Sequence, residues 1–152
     1  GRLTFSAIYW ASATEEFSEK RKCVMLCPLE GTQSLVFALP ESVDSEMSLR
    51  FDPSDHDLET STQTVIVEAL RASAGRDESG VDLMPALTGG EIGLTHQLGI
   101  VTQGDEVLLE IQGNDPWLVI DLAPFGLPAG IVFERVEVRL RWGVNDSTVK
   151  AL

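Results

Sequence analysis

The sequence predicts an all-β chain, an antiparallel β-sandwich of jelly-roll type with about nine strands. Three observations carry that expectation. Apolar and polar residues alternate with a period of two through most of the 152 residues. Clusters of Pro, Gly, Asp and Asn recur between the alternating stretches and read as turns. Helical spacing is hard to find between them, so crossover helices, and with them a parallel sheet, are not expected.

The elements follow in order. Leu3 to Trp10 alternates, with Leu3, Phe5, Ala7 and Tyr9 on one face and Thr4, Ser6, Ile8 and Trp10 on the other. A polar loop follows from Thr14 to Lys20. Arg21 to Cys27 is a second strand, ended by a turn at Pro28, Glu30 and Gly31, and Ser34 to Leu39 is a third, closed by Pro40. Met47 to Phe51 is a short fourth strand running into the turn Asp52-Pro53-Ser54-Asp55. Thr62 to Leu70 has the β-branched core Thr64-Val65-Ile66-Val67 of a fifth. Ser73 to Gly93 is irregular, a long loop of the kind that carries function or motion. Strands resume at Leu98 to Thr102, Glu106 to Gln112, Trp117 to Leu122 and Ile131 to Trp142. In the last of these Val136, Val138, Leu140 and Trp142 share one face and Arg135, Glu137, Arg139 and Arg141 the other, the pattern of a strand with one wet side.

Residues 1–152 read as a single β-sandwich domain, a segment of a larger chain, with neither internal repeats nor a domain-scale linker. The composition, 43% hydrophobic and 23% charged, is that of a globular protein. A formal charge of −13 repels phosphate backbones and anionic bilayers, which argues against nucleic-acid and membrane partners. The longest apolar runs, such as Trp117 to Ile120, fall far short of the roughly 20 residues that cross a bilayer. Cys23 and Cys27 point to one face of a strand but stand ~13 Å apart along it, too far for a disulfide. With no visible secretory leader, this favours a cytoplasmic location.

Motifs of catalysis are missing: there is no Gly-x-Ser-x-Gly elbow, no His-Glu-x-x-His and no phosphate-cradling Gly-x-x-x-x-Gly-Lys. His56 and His96 stand in polar contexts and read as solvated surface residues. With 24 acids, close carboxylate pairs are unavoidable and do not by themselves indicate a glycosidase. The acidic turn with Asp52, Asp55 and Asp57 has spacing that a hard cation such as calcium would accept, but it lacks the glycine and terminal glutamate of an EF-hand loop. The reading preferred for it is a turn in which Asp52 caps backbone amides and Pro53 sets the corner. Neither a metal nor any other cofactor is expected, and the chain is not expected to be an enzyme by itself.

Aromatic residues carry the remaining signal. Saccharides present apolar C–H faces ringed by hydroxyls, so a site for them needs an exposed ring beside carboxylates or amides. Trp117 follows Asn114-Asp115-Pro116 and shares a strand face with Val119 and Asp121, while Leu118, Ile120 and Leu122 take the opposite, apolar face. The candidate carbohydrate-binding residues are therefore Trp117, Asn114, Asp115 and Asp121, with Trp10 as a second ring. Trp142 aligns with valines and belongs to the core.

The succession of Phe17-Ser18-Glu19, then Leu35 to Pro40, then Leu49-Arg50-Phe51-Asp52-Pro53-Ser54-Asp55 resembles accessory β-sandwich segments of bacterial polysaccharide-synthesis glycosyltransferases, those building O-antigens and rhamnose-rich glycans. Asn114-Asp115-Pro116 before an apolar strand is similar too. The resemblance spans roughly Tyr9 to Leu70 and Asn114 to Trp142 in short pieces, and the Ser73 to Gly93 stretch departs from it. It implies a carbohydrate-binding-like module tethered to a glycosyltransferase or methyltransferase domain in the bacterial cytoplasm, and it carries over no binding-residue motif. The expected function is thus a non-catalytic saccharide- or polysaccharide-binding module. The alternatives are a structural or oligomerisation sandwich that docks enzyme domains without binding sugar, and a small glycosidase or lyase.

Overall fold

A computed structural model describes residues 3–12, 14–55, 63–74, 80–89, 93–127 and 130–143. The strands are β1 (Leu3–Ala11), β2 (Lys22–Pro28), β3 (Gly31–Asp44), β4 (Ser48–Asp52), β5 (Gln63–Ser73), β6 (Val81–Asp82), β7 (Leu94–His96), β8 (Leu98–Gln103), β9 (Glu106–Ile111), β10 (Trp117–Asp121) and β11 (Val132–Gly143). They form two sheets, ordered β2-β1-β4-β10-β7 and β3-β11-β5-β9-β8, with β6 added to β5, and every pairing is antiparallel. The chain is an all-β sandwich. No helix among the described residues is long and apolar enough to cross a membrane.

Consecutive strands link the two sheets at both sides. β2 and β3 are edge strands on one side, joined through a short turn whose Gly31 has φ +61°. On the other side the chain passes from β7 to β8 at Gln97, the one non-glycine residue with positive φ (51°) among those described. An ordinary side chain in that conformation costs on the order of 1 kcal/mol, so its surroundings must hold it there.

A continuous apolar core fills the space between the sheets, with Ile8, Trp10, Phe37, Leu109, Leu118, Phe133 and Leu140 among its most deeply buried members. The alternation in β11 places Val136, Val138, Leu140 and Trp142 inside and Arg139 and Arg141 outside, as their spacing requires. Outside, Arg139 and Arg141 both pair with Glu68, and Arg141 also reaches Glu106. The same holds in β10, where Leu118 and Ile120 point inward.

Three stretches depart from the sequence expectation. β3 does not stop at Pro40 but continues to Asp44. Proline is tolerated there because β3 is an edge strand and because Pro40 lies within a register shift: Arg135 pairs with Ala38 but Phe133 with Val43. The stretch expected as one long loop holds β6 and a one-turn helix, α1 (Met84–Thr88), which starts with Pro85 in its first turn and the Asp82 carboxylate accepting from the Met84 amide at 2.9 Å. Its Leu83, Met84, Ala86 and Leu87 are buried in the core. β7, finally, is an extra strand ahead of the expected Leu98 start, so that with β6 the described residues hold eleven strands rather than nine.

β1 resolves an ambiguity. Its apolar Leu3 and Phe5 face solvent, whereas Thr4 and Ser6 are buried. The turn after β4 makes this possible: the Thr4 and Ser54 hydroxyls are 2.8 Å apart, and the Ser6 hydroxyl donates to the Pro53 carbonyl at 2.8 Å. Hydroxyls can enter a core only with such partners.

Candidate ligand site on the outer face of the five-stranded sheet

The outward positions of β1, β4, β10 and β7 put side chains side by side across four strands. Tyr9 and Arg50 are directly opposed, as are Trp117 and His96. The Arg50 guanidinium carbon lies 4.3 Å from the centre of the Tyr9 ring and 5.0 Å from that of Trp117. The His96 imidazole stacks on Trp117 with centres 5.2 Å apart and planes 14° apart. β4 and β7 flank β10 on opposite sides, so Arg50 and His96 cover opposite faces of the indole. The result is a row, Tyr9–Arg50–Trp117–His96, in which every inner member has a neighbour on each side.

Arg50 anchors this row. Its Nε and Nη2 donate to the two carboxylate oxygens of Asp52, each at 2.8 Å, a bidentate geometry in which both charges are largely withdrawn from water. Burial pushes the Asp52 carboxyl above its usual range, against the pull of Arg50. Burial is the largest single influence on Arg50 and works against its charge, but the bond to Asp52 together with the Asp52, Tyr9 and Asp115 charges outweighs it and holds the guanidinium more firmly protonated than usual. Desolvation, with the nearby Asp52 charge, raises the Tyr9 phenol as well. The Tyr9 hydroxyl donates to Glu19, which also pairs with Lys22.

At the other end, the loop from Gln112 to Pro116 is fixed by the β7–β8 corner. The Gln97 side-chain carbonyl accepts from the Asp115 amide at 2.8 Å, and the Gln97 backbone carbonyl from the Gln112 amide at 2.9 Å. A Cβ on Gly113 would lie 2.5 Å from the Gln97 carboxamide, so only glycine leaves room for this clasp. His96 Nδ1 lies 2.9 Å from the Asp115 carbonyl oxygen. A carbonyl cannot donate, so Nδ1 carries a proton, and whenever the ring is neutral its Nε2 is an acceptor.

Of the expected site residues, Trp117 and Asp115 both meet His96, Asn114 is exposed on the same loop as Asp115, and Trp10 and Asp121 lie apart from them. Trp10 is a correction: it is 1% exposed in the core, its indole N–H donating to Glu41 at 2.6 Å, and it offers no surface for a ligand. Ile8 beside it on the same strand face is buried too, so the inward side of β1 claims both. Asp121 faces outward but sits four residues, ~13 Å, along β10 from Trp117, where it accepts from the Ser48 hydroxyl at 2.5 Å. Trp117 does lie outside the core, but as a filled rather than an open platform. The free ring belongs to His96, on the edge strand, whose side chain is 45% exposed. Sequence reading took His96 for a lone surface residue; its backing by Trp117 depends on strand register.

The acidic turn also differs from expectation. Asp52 engages Arg50 rather than backbone amides, and it is Asp55 that accepts from the Phe5 amide at 3.1 Å and the Thr4 hydroxyl at 3.2 Å. His56 and Asp57 lie outside the described residues, among which no group of three or more His, Cys, Asp or Glu is placed to hold a metal. The two cysteines are free. Cys27 is buried and accepts from the Trp142 indole at 3.3 Å, and desolvation raises both thiols above their ordinary range, the reverse of an activated nucleophile.

No family model, curated protein or solved structure matches this chain. What the site does must therefore be argued from its chemistry. The β7 edge offers an exposed imidazole stiffened by an indole behind it, the Nε2 acceptor, and the exposed Asn114 and Asp115 side chains on a clasped loop.

Proposed function

We propose that this chain is a non-catalytic saccharide-binding module associated with bacterial cell-surface polysaccharide synthesis, and that its ligand lies against His96 at the β7 edge. The observation that carries this reading is the row Tyr9–Arg50–Trp117–His96, which fixes one open ring next to Asp115, on whose loop Asn114 is also exposed. A rigid ring accepts the C–H face of a pyranose with little loss of conformational entropy, and amide, carboxylate and Nε2 groups at its rim bond the hydroxyls. The −13 charge suits a neutral polyol better than an anionic ligand. The likeness of Leu49 to Asp55 to accessory segments of polysaccharide-building transferases supports the same assignment, with binding serving to hold a growing glycan near a tethered enzyme.

The test is a glycan array followed by titration calorimetry on the glycans retained. His96→Ala is expected to weaken binding by about tenfold or more, in the range of one lost stacking partner. Unchanged affinity in His96→Ala, on glycans the parent retains, would rule out this surface; silence of the parent across cell-surface polysaccharides would rule out the function. A structural, enzyme-docking role is the second reading, and one observation favours it: Leu3, Phe5, Val24 and Leu26 form an exposed apolar patch at the β1–β2 end of the same sheet.

A further inference from the structure

We infer that the gap between β6 and β9 is a second ligand site, one that takes a small zwitterion with an apolar side chain, of the amino-acid class. The gap is a consequence of strand pairing. On one side β5 is bonded to β11 along nearly all its length, but on the other it pairs with β9 only as far as Val67 and with β6 only from Arg71. On that side Glu68, Ala69 and Leu70, about 10 Å of strand, have no neighbouring strand. The β6–α1 segment borders the opening from one end and the β8–β9 turn from the other, around a cleft of about 470 Å³. That is within the range of small-molecule sites. Leu70, Met84 and Pro85 give it an apolar wall.

Two charged groups of this cleft have no partner among the described residues. Arg21, Arg50, Arg135, Arg139 and Arg141 each pair with a carboxylate, whereas Arg71, alone among the described arginines, pairs with none. Carboxylates do stand beside it in register, Glu137 on β11 and Asp82 on β6, but Glu137 is bound to Arg135 and Asp82 to the Met84 amide. Arg71 is nonetheless held in place. A Cβ on Gly80 would lie 2.3 Å from its Nε and 2.8 Å from the Ala72 carbonyl oxygen, so the side chain crosses the backbone where only glycine leaves room. A guanidinium fixed along its stem and free at its head is preformed to grip a carboxylate. Its counterpart at the β9 end is Asp105, exposed in the β8–β9 turn and likewise without a partner among the described residues. Glu68 is not free, since Arg139 and Arg141 hold its two oxygens.

A free cation at one end and a free anion at the other select the ligand. A simple anion would meet Asp105 and the overall charge of −13, and a simple cation would meet Arg71. A molecule that carries both an ammonium and a carboxylate satisfies both groups and brings no net charge. The apolar wall of Leu70, Met84 and Pro85 then favours an aliphatic or aromatic side chain over a polar one. His96 stands on the other sheet, so this site and the saccharide site do not depend on each other.

Titration of the whole chain with free leucine, isoleucine, valine, methionine and phenylalanine in turn, followed by amide NMR spectra, tests this. At least one of them is expected to give saturable shifts confined to the amides of Glu68 to Arg71, Ala86 to Thr88 and Asp105. The N-acetyl form of that amino acid, which lacks the ammonium, and its methyl ester, which lacks the carboxylate, are each expected to bind about tenfold more weakly. Arg71→Gln and Asp105→Asn are expected to weaken the free amino acid by about as much, with spectra that remain those of the folded chain. Four results overturn the inference: no saturable shift with any of these ligands, shifts that map elsewhere, a capped form that binds as tightly as the free amino acid, or full affinity in either variant. Should Arg71→Gln misfold, Asp105→Asn and the two capped ligands decide.

Discussion

Replacing Arg50 by methionine removes the charge at the centre of the outer-face row while keeping its bulk. Asp52 then loses both of its 2.8 Å bonds in a setting where its side chain is 11% exposed. Breaking a buried ion pair from one side costs about 3–5 kcal/mol, and the residual solvent contact of this pair places it near the bottom of that range. Two cation–π contacts also go, each worth about 0.5–1 kcal/mol, but a thioether between two rings recovers a similar amount. The expected loss is therefore about 3 kcal/mol, or roughly 6–12 °C in Tm for a domain of this size. The loss also depends on pH. Burial already holds the Asp52 carboxyl above its usual range with Arg50 opposing it, so removing Arg50 raises it further. A carboxyl raised in the folded state binds more protons there than in the unfolded chain, so stability falls as pH rises from the unfolded aspartate value, about 3.9, through the raised folded one. Arg50→Met is thus least harmful in acid and most harmful at neutral pH. Adding Asp52→Leu restores most of the loss, because an apolar pair of similar volume leaves no charge unpaired. Urea denaturation of the parent, the single variants and the double variant across pH measures all three quantities. A penalty under about 1 kcal/mol with no pH slope, or a double variant as unstable as the sum of the singles, would refute the account of this pair.

Two further outcomes follow from the geometry. Trp10→Ala opens a core cavity and leaves Glu41 with Arg21 alone, at about 3–5 kcal/mol, whereas Trp117→Ala costs only about 1–2 kcal/mol yet loosens His96; chemical denaturation separates the two, and equal penalties would contradict their opposite placement on the sheet. Gly113→Ala drives the Gln97 carboxamide from its seat and leaves the Asp115 amide without that bond, for a loss of about 1 kcal/mol and faster exchange of the Asp115 amide; unaltered exchange would mean that Gln97 does not clasp the loop.

The sequence by itself determined the all-β sandwich class, because strict two-residue alternation admits only half-buried strands, and β11 was legible residue by residue for that reason. It misread places where a local rule yields to a neighbour distant in sequence. Pro40 ends a strand by propensity, but an edge and a register shift let β3 run on. The alternation of β1 left open which of its faces is buried, and the turn at Pro53 and Ser54 decides it by satisfying the Thr4 and Ser6 hydroxyls, which leaves Leu3 and Phe5 outward. The candidate site divides the same way. That Trp117 faces out beside Asn114 and Asp115 was readable from one strand and its loop. That Trp10 is core, that Asp52 serves Arg50, and that His96 rather than Trp117 holds the open ring were decided only by tertiary structure. Each depends on which strand lies next to which, and pairing across strands far apart in the chain leaves no trace in local spacing.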